Sequence, residues 1–283
     1  MFERFSRSWQ LIKASASVLS QDKELLVFPA VSAVSAFIVG ACFVLPMIGL
    51  GGFDRLDQVG EGGASIGIYL WAFAFYVSQY FVIFFFNAAL VGAAMIRLEG
   101  GDPTVADGFR IAFGRIGPIL GYAAIAATVG MVLRAIQERA GFIGKWIAGL
   151  LGVAWTVASY MVVPILVTRD VGPLDAVKES AQMLRRTWGE NVIGQGGLGV
   201  VFGLIQVLII LLGIALFVGA VATKSVTLMT LTGVGVVGVV VLVALVQTAL
   251  SGIYAAALYR HASGQPVSVG FNPQLLQSAF APK

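Results

Sequence analysis

Charged residues are scarce in this chain. Only 11% of its 283 residues are Asp, Glu, Lys or Arg, whereas 58% are hydrophobic, and the mean hydropathy is +0.92. A typical soluble domain carries about 25% charged residues, so a soluble chain of this composition could not cover its own surface. The composition therefore predicts a polytopic membrane protein.

Cysteine and histidine are also nearly absent. The single Cys42 cannot form an internal disulfide or a thiolate zinc site, and the single His261 cannot supply a His-rich metal cluster. A Ser-His-Asp or Cys-His centre would have to use His261, and nothing indicates a nucleophile beside it. We therefore expect no metal, no cofactor and no enzymatic activity. An intramembrane enzyme would need a water-filled cavity that converges on Asp102, Asp107 or His261.

Six long runs of the chain contain no charge at all. They cover residues 25–53, 62–96, 116–133, 146–168, 191–223 and 225–259 and are 18 to 35 residues long. A bilayer core of about 30 Å is crossed by roughly 20 helical residues, so each run holds one span and none holds two. The sequence predicts an all-α membrane bundle of six transmembrane helices. The longest runs exceed the bilayer, so their helices must tilt, protrude beyond the hydrocarbon or break at a glycine.

Lysine and arginine are unevenly distributed between the loops. The segments on one side of the predicted spans contain 13 of the 18 basic residues, and the opposite side contains five. Cytoplasmic loops carry such an excess in membrane proteins, so both termini are predicted to be cytoplasmic. The net charge of +4 could also indicate nucleic-acid binding, but insertion topology explains basic residues in short flanking loops better. We expect no nucleic-acid partner.

Three of the predicted spans end in similar patterns. Residues 97–103 and 260–266 both read R-x-x-x-G-x-P, and residues 169–173 read R-D-V-G-P, a shorter form. Arginine marks the cytoplasmic interface, glycine permits a left-handed turn after a helix, and proline begins the next helix. We therefore predict one membrane domain of three pseudo-repeats, each an interfacial helix plus two spans. The repeats cover residues 2–98, 103–169 and 173–260, and residues 261–283 form a cytoplasmic tail.

The segment that begins each repeat has apolar residues at helical spacing. After Pro173, Leu174, Val177, Ala181 and Leu184 recur every three or four residues, and charged side chains fill the other face. Aromatic and basic residues flank these stripes, as they do at headgroups, so we favour helices that bind anionic lipid over helices that only pack on the bundle. The candidate lipid-binding residues are Trp9, Lys13, Arg110, Arg115, Lys178, Arg185, Arg186 and Trp188.

Ionisable residues are missing from the interior of all six runs. Ion-coupled transporters usually keep such a residue at membrane depth, so its absence weakens that class of function. Amide side chains are the remaining polar candidates, and Gln79, Asn87 and Gln247 would line the path of a channel or carrier. The other interpretation, which we favour, is that the amides form hydrogen bonds between helices, worth about 1 kcal/mol each.

The N-terminal region resembles a known family. Residues 8–15 read SWQLIKAS and residues 19–29 read LSQDKELLVFP, a pattern that resembles an uncharacterised family of bacterial six-span inner-membrane proteins. The layout, with P-x-x-A helix starts at Pro103 and Pro173, is more loosely similar to the membrane domain of glycerophosphodiester phosphodiesterases. The catalytic domain of those enzymes, with its acidic metal ligands, has no counterpart here. The resemblance implies a bacterial inner-membrane bundle of unknown activity.

These patterns indicate an architecture more sharply than an activity. We expect a non-enzymatic accessory or scaffold protein in envelope organisation or lipid handling, with membrane lipids and a membrane or cytoplasmic protein as partners. The alternative is a channel or carrier for a neutral or amphiphilic solute. A closed, apolar bundle centre would count against that alternative.

Overall fold

The computed structural model describes residues 13–49, 66–139, 141–188 and 196–265, and every regular element in these ranges is helical. The first helix, α1, covers residues 13–21 and leads into a 3-10 turn at Lys23–Leu26. The helices that follow are α2 (Val27–Gly49), α3 (Ile66–Leu98), α4 (Val105–Gly114), α5 (Ile116–Arg139), α6 (Gly141–Ala158), α7 (Val162–Thr168), α8 (Pro173–Trp188), α9 (Gly196–Ala222) and α10 (Val226–Ala262).

Within the described ranges, six helical segments are long and apolar enough to cross a membrane, in agreement with the number of spans that the sequence predicts. They are Lys23–Gly49, Ile66–Leu98, Ile116–Glu138, Gly144–Thr168, Phe202–Ala222 and Val226–Ala262. The fourth segment is divided between α6 and α7 by a turn at residues 159–161. The short helices α1, α4 and α8 precede the first, third and fifth segments, at the positions where the sequence places its interfacial helices.

Burial divides the longest helices into two zones. In α3 no residue before Phe85 is buried, and most residues from there to Leu98 are. In α10 no residue before Ala249 is buried, and every residue from Gly252 to Arg260 is. At 1.5 Å per residue each unburied part extends about 30 Å, the thickness of a bilayer core. We call the part of the bundle that contains the buried ends of α3 and α10 the closed layer. The part that contains their unburied residues is the open layer.

The excess length of the longest predicted runs lies in the closed layer. Both α3 and α10 are continuous helices, so neither breaks at a glycine. A Cβ on Gly252 of α10 would lie 2.5 Å from Cδ2 of Leu90 on α3, so the two helices are in close contact there. Leu90 and Ile253 are almost fully buried. The centre of this layer is therefore filled by tightly packed apolar side chains.

Each short helix buries one side in the closed layer. On α4, Gly108 and Ala112 are buried one turn apart, and on α8 Ala176, Ser180 and Leu184 are buried at the same spacing. A helix presents one face every three or four residues, so these positions form a single buried line. Of the stripe predicted on α8, Leu184 belongs to this buried line, whereas Leu174 is 60% exposed. Packing on the bundle, the less favoured interpretation, thus accounts for Leu184.

The glycines and prolines of the predicted patterns lie at the turns after the helices, but in one turn the positive φ falls one residue earlier than predicted. Gly264 has a φ of 72°, as the R-x-x-x-G-x-P pattern predicts. After α3, however, Gly100 takes the positive φ (91°), and Gly101 is needed because a Cβ there would lie 2.8 Å from Cγ2 of Ile96. Pro173 is the first residue of α8, where its missing N–H costs no helical hydrogen bond.

In the open layer, α9 and α10 form a hairpin. Its turn contains Lys224, whose φ of 54° is the one positive value among non-glycine residues in the described ranges. The Gln206 amide donates to the Val240 carbonyl at 3.3 Å and links the helices. An apolar groove of about 510 Å³ lies between them, lined in part by Leu212, Leu216 and Leu231. The outer faces carry exposed Leu, Ile and Val, a surface suited to lipid rather than water.

Candidate functional site

Ion pairs collect at the far end of the closed layer, where α3, α7 and α10 end. The arginines that end the three predicted repeats, Arg97, Arg169 and Arg260, each bind a carboxylate here. We call this group the charged rim, and its members are Asp22, Arg97, Glu99, Asp102, Arg169, Glu179, Tyr259 and Arg260. In the sequence these arginines indicate only the cytoplasmic side, and no local pattern predicts their acidic partners.

Arg97 binds Asp22 through two hydrogen bonds, and both side chains are largely buried. Its Nε and Nη2 donate to the two carboxylate oxygens of Asp22, and Nη2 also lies 2.5 Å from Oδ1 of Asp102. The side chains of Arg97 and Asp22 are 17% and 8% exposed, whereas that of Asp102 is 92% exposed. Paired N–H···O bonds between a guanidinium and a carboxylate fix both groups in one plane. The contact therefore ties the start of α2 to the end of α3.

Arg260 and Arg169 connect the remaining helix ends. Arg260 is 5% exposed and binds Glu99, which directly follows α3. Arg169 binds Glu179 of α8, and its Nε donates to the Tyr259 hydroxyl of α10 at 3.2 Å. The hydrogen bond to Tyr259 raises the pKa of Arg169 above its ordinary value, so this guanidinium keeps its charge. The rim thus links the ends of α3, α7 and α10 to one another through α8 and the segments that flank α3.

Asp107 and Thr104 start α4 as a capping box. The Asp107 N–H donates to Oγ1 of Thr104 at 3.2 Å, and the Thr104 N–H donates to Oδ2 of Asp107 at 3.0 Å. The Thr104 hydroxyl also donates to Oδ2 of Asp107 at 2.6 Å, and this bond together with the one from the Thr104 N–H lowers the pKa of the Asp107 carboxyl. Asp107 therefore has a structural role at a helix start, and Asp102 has one beside Arg97. His261, the third residue named for an enzyme, is half-buried at the end of α10.

The predicted lipid-binding residues fall into three groups. Lys13, Arg110, Lys178 and Arg185 are exposed on the short helices. Arg115 is only 26% exposed and pairs with Asp170. Trp9 and the side chains of Arg186 and Trp188 lie outside the described residues.

Helices α4 and α8 touch the boundary between the two layers. The ring of Phe113 on α4 lies 4.9 Å from that of Phe85, the first buried residue of α3. On the other side, the Met161 N–H donates to Oγ of Ser180 on α8 at 3.1 Å, just where the buried α7 begins. Both helices therefore lie at the height where exposed apolar surface gives way to covered surface.

The three amides named for a solute path lie in different surroundings. Gln79 donates to the Ala36 carbonyl at 3.0 Å and so links α3 to α2. Asn87 faces α10, where a Cβ on Gly252 would lie 3.5 Å from its Oδ1. Gln247 is half-buried on α10. The Gln79 contact is the interhelical hydrogen bond that the sequence analysis favoured, and the role of the three residues in a path stays a prediction.

Acidic, histidine and cysteine side chains do not form a metal-binding group of three or more anywhere in the described ranges. Cys42 is exposed on α2.

Comparison with known proteins identifies the family of the chain. Residues 66–268 match a family described as of unknown function, DUF6159. A comparison with curated proteins finds no match. The pattern at residues 8–29, which suggested an uncharacterised family, precedes the matched region, and the likeness to phosphodiesterase membrane domains stays a prediction. Since the match covers more than two thirds of its residues, the chain belongs to the family of unknown function DUF6159.

Proposed function

We propose that the chain is a multi-pass integral protein of the bacterial inner membrane, without enzymatic activity, that acts as an accessory or scaffold in envelope organisation or lipid handling. The boundary between the open and closed layers carries this proposal. On one side of it, no side chain of α3 or α10 is buried over about the thickness of a bilayer core, and on the other most are covered by protein. This arrangement suits a protein that spans the bilayer and ends in a compact platform at its surface. The platform consists of the closed layer with the short helices α1, α4 and α8.

The platform has the chemistry of a headgroup-binding surface. Arg110 and Lys178 have side chains that are 78% and 70% exposed. On the same two helices Phe113 and Leu174 are each 60% exposed. Basic residues beside exposed apolar ones bind anionic headgroups while the apolar groups enter the acyl boundary. The excess of basic residues at this end supports a cytoplasmic platform and cytoplasmic termini.

The lipid-binding role predicts a loss of anionic lipid around a platform variant. Replacing Arg110, Lys178 and Arg185 together with Gln should lower the enrichment of phosphatidylglycerol around the protein roughly fivefold, because each surface cation attracts anionic lipid. The measurement is the lipid composition of polymer-bounded discs extracted directly from membranes. The matched control replaces Arg134, Lys145 and Lys224, three cations at the opposite end of the bundle. Equal enrichment in both variants would refute the headgroup role.

Orientation can be measured with single cysteines. In a Cys42→Ala background, Lys224→Cys should react with a membrane-impermeant maleimide on intact cells, because the turn between α9 and α10 is predicted to face outward. Gln265→Cys, just after α10, should react only after permeabilisation. The reverse pattern would contradict cytoplasmic termini.

A further inference from the structure

Arg115 is held differently from Arg110 and Lys178, the two exposed cations of α4 and α8 described above. Arg115 lies between α4 and α5, and its Nη1 is 2.5 Å from Oδ1 of Asp170 in the loop between α7 and α8. Arg110 and Lys178 instead pair with acids three residues away on their own helices. Arg115 is therefore fixed at a junction of two parts of the chain, whereas the other two cations project from single helices.

The carboxylate opposite Arg115 is easily replaced. The Asp170 side chain is 94% exposed and contacts one guanidinium nitrogen. An ion pair whose carboxylate is this exposed contributes little to stability. A guanidinium has five N–H donors in a planar fork that matches the oxygens of a phosphate group. A phosphate anion that reaches the junction can therefore take the place of Asp170.

Exposed apolar residues flank Arg115 in the sequence, at the end of α4 and in the first turns of α5. Phe113, Ile116 and Leu120 are 60%, 45% and 48% exposed. Ile116 and Leu120 are one turn apart on α5, so they share a face of that helix. Phe113 contacts Phe85 at the boundary of the open layer. A molecule bound to Arg115 thus has an apolar surface next to it that leads toward the membrane interior.

We propose that Arg115 binds the phosphodiester of one anionic phospholipid, with an acyl chain along Ile116 and Leu120, and that Asp170 competes with the lipid for the guanidinium. The inference rests on the proposed function and deepens it. It assigns a single lipid to a defined junction and makes Asp170 a residue that weakens binding.

Native mass spectrometry of the full-length protein in mild detergent, titrated with phosphatidylglycerol, tests this site. Arg115→Gln should weaken binding of the first lipid about tenfold, which is the expected loss of one charge-assisted contact. Asp170→Asn should strengthen it severalfold, because the competing carboxylate is removed. The matched control is Arg134→Gln at the other end of α5, where Arg134 pairs with Glu138 and both side chains are more than 60% exposed. This control should bind the lipid as the unaltered protein does.

The two variants separate a lipid site from a structural ion pair. If the Arg115–Asp170 pair only stabilises the fold, Asp170→Asn will weaken binding or leave it unchanged, and either result overturns the proposal. Displacement of the lipid by millimolar glycerol phosphate would assign the site to a soluble phosphate instead. Normal lipid enrichment in the platform variant, described above, would refute the proposed function. Loss of enrichment there, with unaltered binding by Arg115→Gln, would refute this inference alone.

Discussion

Replacing Arg97 with Gln is expected to lower the free energy of unfolding by about 3 kcal/mol, because it leaves the carboxylate of Asp22 in a nearly closed site without its partner. Asp22 is 8% exposed and receives two hydrogen bonds from Arg97. Asp22→Asn should cost less, since Arg97 keeps its contact with Asp102. The measurement is a titration with a denaturing detergent in mixed micelles.

Two controls define what the Arg97 result means. Asp102→Asn should have a small effect, because Asp102 is 92% exposed. Glu138→Gln removes an exposed i,i+4 pair with Arg134 and should cost at most about 1 kcal/mol. If Arg97→Gln costs no more than Glu138→Gln, the charged rim does not hold the closed layer together.

Gly108→Ala is expected to destabilise the protein by about 2 kcal/mol or more, because the new methyl group has no space. A Cβ at this position would lie 2.4 Å from Cζ of Phe28 and 2.8 Å from the backbone oxygen of Ala89. Both neighbours are almost fully buried, so neither can move away freely. The same detergent titration measures the loss, and the detachment of α4 should appear as faster proteolysis of that segment.

The matched control for Gly108 lies on the same helix. Gly114→Ala adds an identical methyl group where no atom lies within 4 Å. Alanine has the better helix propensity, so this variant should match the unaltered protein or gain up to about 1 kcal/mol. Equal losses at both positions would mean that α4 does not pack on α2 and α3 as described.

The number and positions of the long helices could be predicted from the sequence because charge is excluded from a bilayer core along the whole length of a span. The absence of charge can be seen within each run of the sequence and is repeated at every position of the run. The division of α3 and α10 into open and closed layers could not be predicted, because apolar residues suit lipid and a protein core equally well. Phe81 and Phe85 look alike in the sequence, although only the second is buried.

Of the charged rim, the sequence pattern predicts the arginines but not their acidic partners. The arginines recur in a visible pattern, but their partners are distant: Asp22 precedes Arg97 by 75 residues, and Glu99 precedes Arg260 by 161. Such pairs depend on how the helices pack, and no local spacing contains that information. The sequence also predicts apolar stripes on α4 and α8, but such a pattern does not distinguish a protein neighbour from a lipid one.

The buried end of α10 is synthesised after the helices that it packs against. The residues from Gly252 to Arg260 occupy the centre of the closed layer, yet the ribosome makes them after α1 to α9. Until they arrive, apolar residues at the end of α3, such as Leu90, lack the cover that α10 provides, and Glu99 has no arginine from α10 to bind. A nascent chain arrested before α10 therefore shows chaperones and proteases a surface that the finished protein hides.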